Sequence, residues 1–242
     1  MLDQQELMDY FENKFDPAYT HWDDRLWEKD AARYKEVGEY LRKSKALIYK
    51  QLQTWASPWR APYFDFVQEV TPSIKALDYH CGVGAVGLWL RRYGYQMDFA
   101  GLKSECTKFL RWRLERRGIA AQVYDQDKDA IPRYPLVVCF EALHYYPPEE
   151  QFELVRELAR LGQVVIINLN TRNVVNFSTR PYEQERFCFP VDVAGLLKQI
   201  EQNYSIVRHK VSNVYAHLVA FRAPEPNSVP EAAPAREEVN DG

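Results

Sequence analysis

Cysteine is scarce in this sequence. Four are present, Cys81, Cys106, Cys139 and Cys188. They show neither paired spacing nor a C-x-x-C, which argues against a disulfide framework or a zinc site. Three lie in apolar stretches and read as reduced core residues. No run approaches the roughly 20 apolar residues of a membrane span. The opening MLDQQELMDY is acidic and lacks the apolar segment of a secretory signal. These absences predict a soluble protein in a reducing, cytoplasmic setting, with no membrane partner. Positive charge is not in excess either. The formal net charge is −3, which gives no bulk attraction to nucleic acid, so no nucleic-acid partner is expected. No metal constellation and no internal repeat is visible.

What is present suits one domain with an extension: 242 residues, 46% of them hydrophobic. The chain is organised around residues 76–90, ALDYHCGVGAVGLWL. A short apolar strand, Ala76 to Tyr79, runs into a turn with Gly82, Gly84 and Gly87 in a G-x-G-x-x-G set, and an amphipathic helix follows. Glycines allow a tight turn and close approach of backbone to a ligand. The helix that follows would present free N–H groups to whatever sits there. A Gly-rich turn without a ligand shares this spacing.

The turn resembles motif I of the class I S-adenosylmethionine-dependent methyltransferases: hydrophobic residues, an acid, any residue, then G-C-G-x-G. Asp78 holds the acidic place, and Cys81, Gly82 and Gly84 match the rest. His80 stands where the first glycine is expected. The resemblance runs from about Ala76 to about Leu169, and more loosely to Phe221. It implies S-adenosylmethionine as cofactor, with Asp78, His80, Cys81, Gly82 and Gly84 around the methionine portion.

Before this stretch, apolar residues from Trp22 to Leu52 recur at helical spacing and predict one or two helices between about Asp23 and Trp55. Pro58 and Pro62 break the pattern. A short helix from Tyr63 to Val70 should follow. The region is rich in aromatics, which either pack helices onto the main domain or cap an apolar substrate. The segment Trp55 to Phe66 is the part expected to face a ligand.

After the Gly-rich helix, Met97 to Leu102 reads as a second strand. A doubly wound sheet commonly carries a ribose-binding acid at this strand's end, about 20 residues past the glycines. Lys103 occupies that position, and an ammonium only donates. Ser104 reads as the N-cap of a basic helix, Glu105 to Arg117, whose cations predict a solvated outer face. Gln122 to Asp125 is a third strand. The resemblance makes Asp125 the acceptor for the adenine amino group, with Asp127 and Asp129 as neighbours able to serve. Leu136 to Phe140 is a continuous apolar run, as in a strand buried on both faces. It leads to Glu141 and His144, which the resemblance places beside the cofactor and the transferable methyl. His144 is a candidate general base or a structural histidine. Tyr145 and Tyr146 are candidates for lining the pocket. The D/N-P-P-Y signature of nucleic-acid amino methylation is absent.

Gln151 to Leu161 reads as a helix and Val164 to Leu169 as a fifth strand. A loop to Pro190 carries Arg172, Arg180 and Arg186, candidates for holding an anionic substrate. A helix within Pro190 to Tyr204 precedes a hairpin about Ser212 and Asn213. The expected architecture is α/β: a doubly wound, mostly parallel seven-stranded sheet with an antiparallel last strand. Residues 1–70 form a helical N-terminal cap, 71–222 the Rossmann-like domain and 223–242 a disordered tail. The expected function is methyl transfer to a small-molecule or protein acceptor. A degenerate fold that binds without catalysis, and an NADP-dependent oxidoreductase using Lys103, stand as alternatives.

Overall fold

The computed structural model describes residues 2–20, 24–72, 74–170, 187–213 and 216–224. The loop arginines Arg172, Arg180 and Arg186 and the chain beyond residue 224 lie outside them. Five helices come first: α1 (Leu2–Phe11), α2 (Asp24–Ala31), α3 (Val37–Lys43), α4 (Ala46–Ala56) and α5 (Ala61–Val70). Strands and helices then alternate through β1 (Lys75–Tyr79), α6 (Ala85–Arg91), β2 (Gln96–Gly101), α7 (Glu105–Arg116), β3 (Val123–Asp125), β4 (Tyr134–Cys139), α8 (Pro148–Leu161), β5 (Gly162–Asn170) and α9 (Val193–Asn203). A final pair, β6 (Ser205–Asn213) and β7 (Ala216–Arg222), closes the sheet.

The order across the sheet is β3-β2-β1-β4-β5-β7-β6. Pairings from β3 to β5 are parallel, while β7 is antiparallel to both β5 and β6. The chain thus winds outward from β1 to β3, then returns past β1 to β4 and β5, which is the doubly wound pattern. The reversed strand β7 sits inside the edge strand β6, because a tight hairpin lets the chain double back between β5 and β6. Central strands read as apolar runs because helices cover both faces; Leu136, Val137, Val138, Val165, Ile166 and Ile167 are all fully buried.

The stretch read as one or two helices before residue 56 is three. Ser44 explains the second break. Its Oγ donates to the buried Asp30 carboxylate (2.5 Å) and accepts the Leu47 N–H (3.1 Å), which stops α3 and starts α4. Ser104 caps α7 as expected, in a reciprocal pair with Thr107. On α7, Lys108, Arg111 and Arg116 are exposed as expected, but Arg113 and Arg117 turn inward. Arg113 is buried, donating from Nε to Glu6 of α1 (2.8 Å) and from Nη1 to the Val83 carbonyl (2.9 Å). Arg117 donates to the other Glu6 oxygen (2.6 Å), and Arg116 pairs with Asp9. These cations dock α1 on α7. The cap shares one apolar cluster with the main domain, in which Leu7, Phe11, Leu47 and Ile48 meet Val83, Cys106 and Phe109. Among the described residues no helix is long and apolar enough to cross a membrane.

Candidate functional site

Open α/β sheets bind ligands beyond the carboxyl ends of their strands, where the winding reverses. Here that point lies between β1 and β4. A cavity of about 430 Å³ opens there, bordered by Asp78 in β1, His80, Cys81 and Gly82 after it, Gln126 after β3, and Glu141 and His144 after β4. Helices α3 and α4 roof it with Leu41, Lys50, Gln51 and Trp55. Trp55 is the one residue of the suspected Trp55–Phe66 segment in the lining; Trp59 points to solvent at 74% exposure.

The turn after β1 needs the left-handed backbone region three times, at His80 (φ 57°), Gly82 (φ 51°) and Gly84 (φ 70°). Glycine adopts it freely; histidine does so at a cost of about 1–2 kcal/mol. The His80 ring offsets this locally. Its Nε2 lies 2.6 Å from the Tyr146 hydroxyl. Burial lowers the His80 pKa to about 4, so the ring is neutral at pH 7. Burial likewise raises the Tyr146 pKa, so the contact joins two neutral groups.

The three glycines have different work. A Cβ on Gly82 would lie 2.1 Å from Gln51 Oε1, so the open side of this glycine receives the cap. A Cβ on Gly84 would lie 2.3 Å from Leu110 Cδ1 of α7. The spacing suggested that Gly84 clears the way for a ligand; its bare side instead admits a core leucine, and it does not line the cavity. Gly87 lets α6 close on β2, with Phe99 2.4 Å from where its Cβ would be. Its N–H donates to Asp78 Oδ2 (2.9 Å). Asp78 is 2% exposed, and burial raises its pKa to about 7 despite that hydrogen bond.

Glu141 is held rather than free. It sits at φ 58°. Its Oε1 accepts from Arg60 (2.5 Å), the Tyr63 hydroxyl (3.2 Å) and Asn168 (2.8 Å), and its Oε2 from Asn170 (2.9 Å). The Arg60 guanidinium lies 5.0 Å from the centres of both the Trp55 and Tyr63 rings. Burial opposes the charge on Arg60, yet the adjacent carboxylate raises its pKa on balance. His144 is buried in a 3-10 turn, Leu143–Tyr145, and its carbonyl accepts the Phe189 N–H (2.7 Å). Its ring packs on Tyr145 at 4.2 Å.

Besides Gly84, two further expected cofactor residues do not border the cavity. Lys103 is exposed. Asp125 shapes the turn after β3, accepting from the Asp127 N–H (3.2 Å) while its own N–H donates to Asp129 (2.7 Å). Its neighbour Gln126 lines the cavity instead, with a buried Oε1 that has no hydrogen-bond partner among the described residues. Gln126 could have been found by its place one residue past the strand. Lys50 and Gln51 carry no motif and are met only when α4 folds over the turn. No cluster of three or more His, Cys, Asp or Glu residues able to hold a metal occurs among the described residues.

This architecture is that of the class I S-adenosylmethionine-dependent methyltransferases. Solved structures with the same fold include magnesium protoporphyrin IX methyltransferase (ChlM) from Synechocystis PCC 6803 with bound SAM, at 16% identity and TM-score 0.52, covering 92% of this chain and 97% of that one. An S-adenosylmethionine-dependent methyltransferase from Clostridium acetobutylicum aligns at 12% identity and TM-score 0.57, covering 74% and 98%. One from Aquifex aeolicus aligns at 13% and 0.53, covering 72% and 98%. No family model matches the sequence, and no curated protein matches it either.

Proposed function

We propose that this protein is an S-adenosylmethionine-dependent methyltransferase acting on a small-molecule or protein acceptor. The carrying observation is the roofed cavity at the point where the winding reverses, in a fold shared with ChlM, which has been crystallised with SAM and with SAH bound. The residues present fit such a group. The unpartnered Gln126 Oε1 suits an exocyclic amino donor. Asp78 is the carboxyl available to a cation there, since Glu141 is already paired with Arg60. When bound, the cofactor supplies a methyl group activated on a sulfonium. The chain's own part is to hold that group, exclude water and align an acceptor with it. His144, Tyr145 and Tyr146 border the remaining space, and His144 is the proposed base for an acceptor that must lose a proton. The free thiols support a reducing, cytoplasmic setting.

One observation favours a second reading, a binding protein of the same fold without catalysis. His80 replaces a glycine, and its bond to Tyr146 links the loops after β1 and β4 across the crevice. Titration calorimetry with S-adenosylmethionine separates the two. Saturable heat at one site per chain is expected. Absence of heat from folded protein would overturn the methyltransferase reading and leave the binding-protein one. The NADP-dependent reading rested on Lys103, and no observation at that exposed residue favours it.

A further inference from the structure

The cap helix α4 contributes a side chain to the Gly-rich turn itself. Gln51 Oε1 accepts the Val83 N–H at 2.9 Å. This bond fixes which way the carboxamide faces, because the –NH2 group in that place would set donor against donor. Nε2 is therefore what the amide offers to the cavity that Gln51 lines. The adjoining Lys50 is the only lysine or arginine among the described residues of the lining. The carboxyls of the lining are Asp78, Glu150 and Glu141, the last already paired with Arg60 from outside it, and Gln126 adds an orphan Oε1. The one cationic side chain of the described lining thus lies on α4, next to Gln51.

A ligand with one carboxylate and several donor groups has one electrostatically sensible orientation in such a cavity. Its carboxylate goes under α4, and its amino-bearing ring goes toward Gln126. Resting on the methyltransferase reading above, we infer that Gln51 is a positioning residue for the amino-acid end of the cofactor, donating from Nε2 to its carboxylate with Lys50 adding charge. Asp78, at the end of β1 below the same turn, is the acid available to the ammonium on the same carbon. Two features then acquire a reason. Position 82 favours glycine, since a Cβ there would displace Gln51 Oε1. The cap, in turn, is coupled to ligand content, because the helix that roofs the site also reads the ligand's end.

The inference separates ligands that carry an amino-acid end from those that lack one. The probes are S-adenosylhomocysteine and 5′-methylthioadenosine, titrated by calorimetry into wild type, Gln51→Glu and Gln51→Met. Glutamate keeps an oxygen for Val83 N–H and puts a second, anionic oxygen where Nε2 was. Methionine keeps the length and removes the donor. Losing a hydrogen bond to a charged group predicts about tenfold or greater weakening for S-adenosylhomocysteine, with Gln51→Glu the worse. Affinity for 5′-methylthioadenosine should stay within about twofold of wild type, well inside one tenfold step. Equal losses for both ligands would make Gln51 a structural residue and overturn the inference, as would unchanged affinity for both. If Gln51→Glu fails to give a cooperative thermal transition, Gln51→Met decides. If wild type binds neither ligand, the methyltransferase reading fails first and takes the inference with it.

Discussion

Asp78 and His80, two residues apart, have pKa values displaced in opposite directions by the same cause. Burial raises Asp78 to about 7 and lowers His80 to about 4. Their effects on stability oppose each other. For Asp78 the folded value exceeds the unfolded one, so its contribution is complete below about pH 4 and is lost as the pH rises to about 7. For His80 the folded value is the lower, so its contribution is complete above about pH 6.5 and is lost as the pH falls to about 4. Between about pH 4 and 6.5 the two slopes largely cancel in wild type. Asp78→Asn keeps an acceptor for Gly87 N–H and removes one slope. Relative to wild type, its unfolding free energy in urea titrations should therefore rise with pH up to about 7, by as much as about 4 kcal/mol for a separation of about three pH units. His80→Asn, which tolerates a positive φ, should lose ground to wild type as the pH rises from about 4 to 6.5. A difference from wild type that does not vary with pH would rule this out. The glycines give a second contrast at this scale. Gly84→Ala meets Leu110 and a left-handed φ together, and should cost about 2–5 kcal/mol. Gly82→Ala meets only the movable end of Gln51 and should cost the φ term, about 1–2 kcal/mol. Denaturant midpoints of the two variants, measured side by side, test the order.

Among the elements, α1 and α7 depend on each other through charge. Glu6 is buried and takes donors from both Arg113 and Arg117, which on balance holds its pKa below the usual carboxylate range although burial works the other way. Glu6→Gln would leave Arg113 buried without its anion, a change of about 3–5 kcal/mol. Hydrogen exchange should then show α1 opening while α7 stays protected; equal protection of α1 in both proteins would sink the idea. This pair also shows why part of the molecule was hidden in the sequence. The strands from β1 to β5 were legible because burial on both faces makes each an apolar run with its own signal. Asp78 and the turn were legible for the same local reason. Arg113 was not: its composition is that of an outer helix, and its partner is more than a hundred residues away. Gln51 and Lys50 are equally silent, since their chemistry exists only once α4 crosses the turn. Lys103 and Asp125 mark the converse. Position relative to a strand end is readable, but one residue of backbone rotation decides whether Asp125 or Gln126 meets the cavity.

The whole molecule is tied together around Glu141. That carboxylate joins Arg60 and Tyr63 of the cap region to Asn168 and Asn170 at the end of β5, and it stands at the end of β4. Arg42 of α3 pairs with Asp127 after β3 (2.7 Å), but both side chains are about 40% exposed and such a pair contributes about 0–1 kcal/mol. The Glu141 cluster is therefore one of two buried polar links between cap and main domain, the other being Glu6 with Arg113 and Arg117, alongside the apolar cluster they share. Wild type should unfold in one cooperative step, with tyrosine and tryptophan signals from the cap coincident with far-ultraviolet circular dichroism of the sheet. Glu141→Ala strands a buried guanidinium and two amides at once, a loss of about 3–5 kcal/mol. That loss falls on the junction, so the cap transition should move to lower denaturant while the sheet transition moves less, and the two signals should separate. Coincident transitions in the variant would mean that the apolar cluster of Leu47, Ile48 and Phe109 and the Glu6 pairing couple the cap to the sheet without Glu141. The roof over the cavity would then hold its place without Glu141, and that residue would matter only for the local shape of the loop after β4.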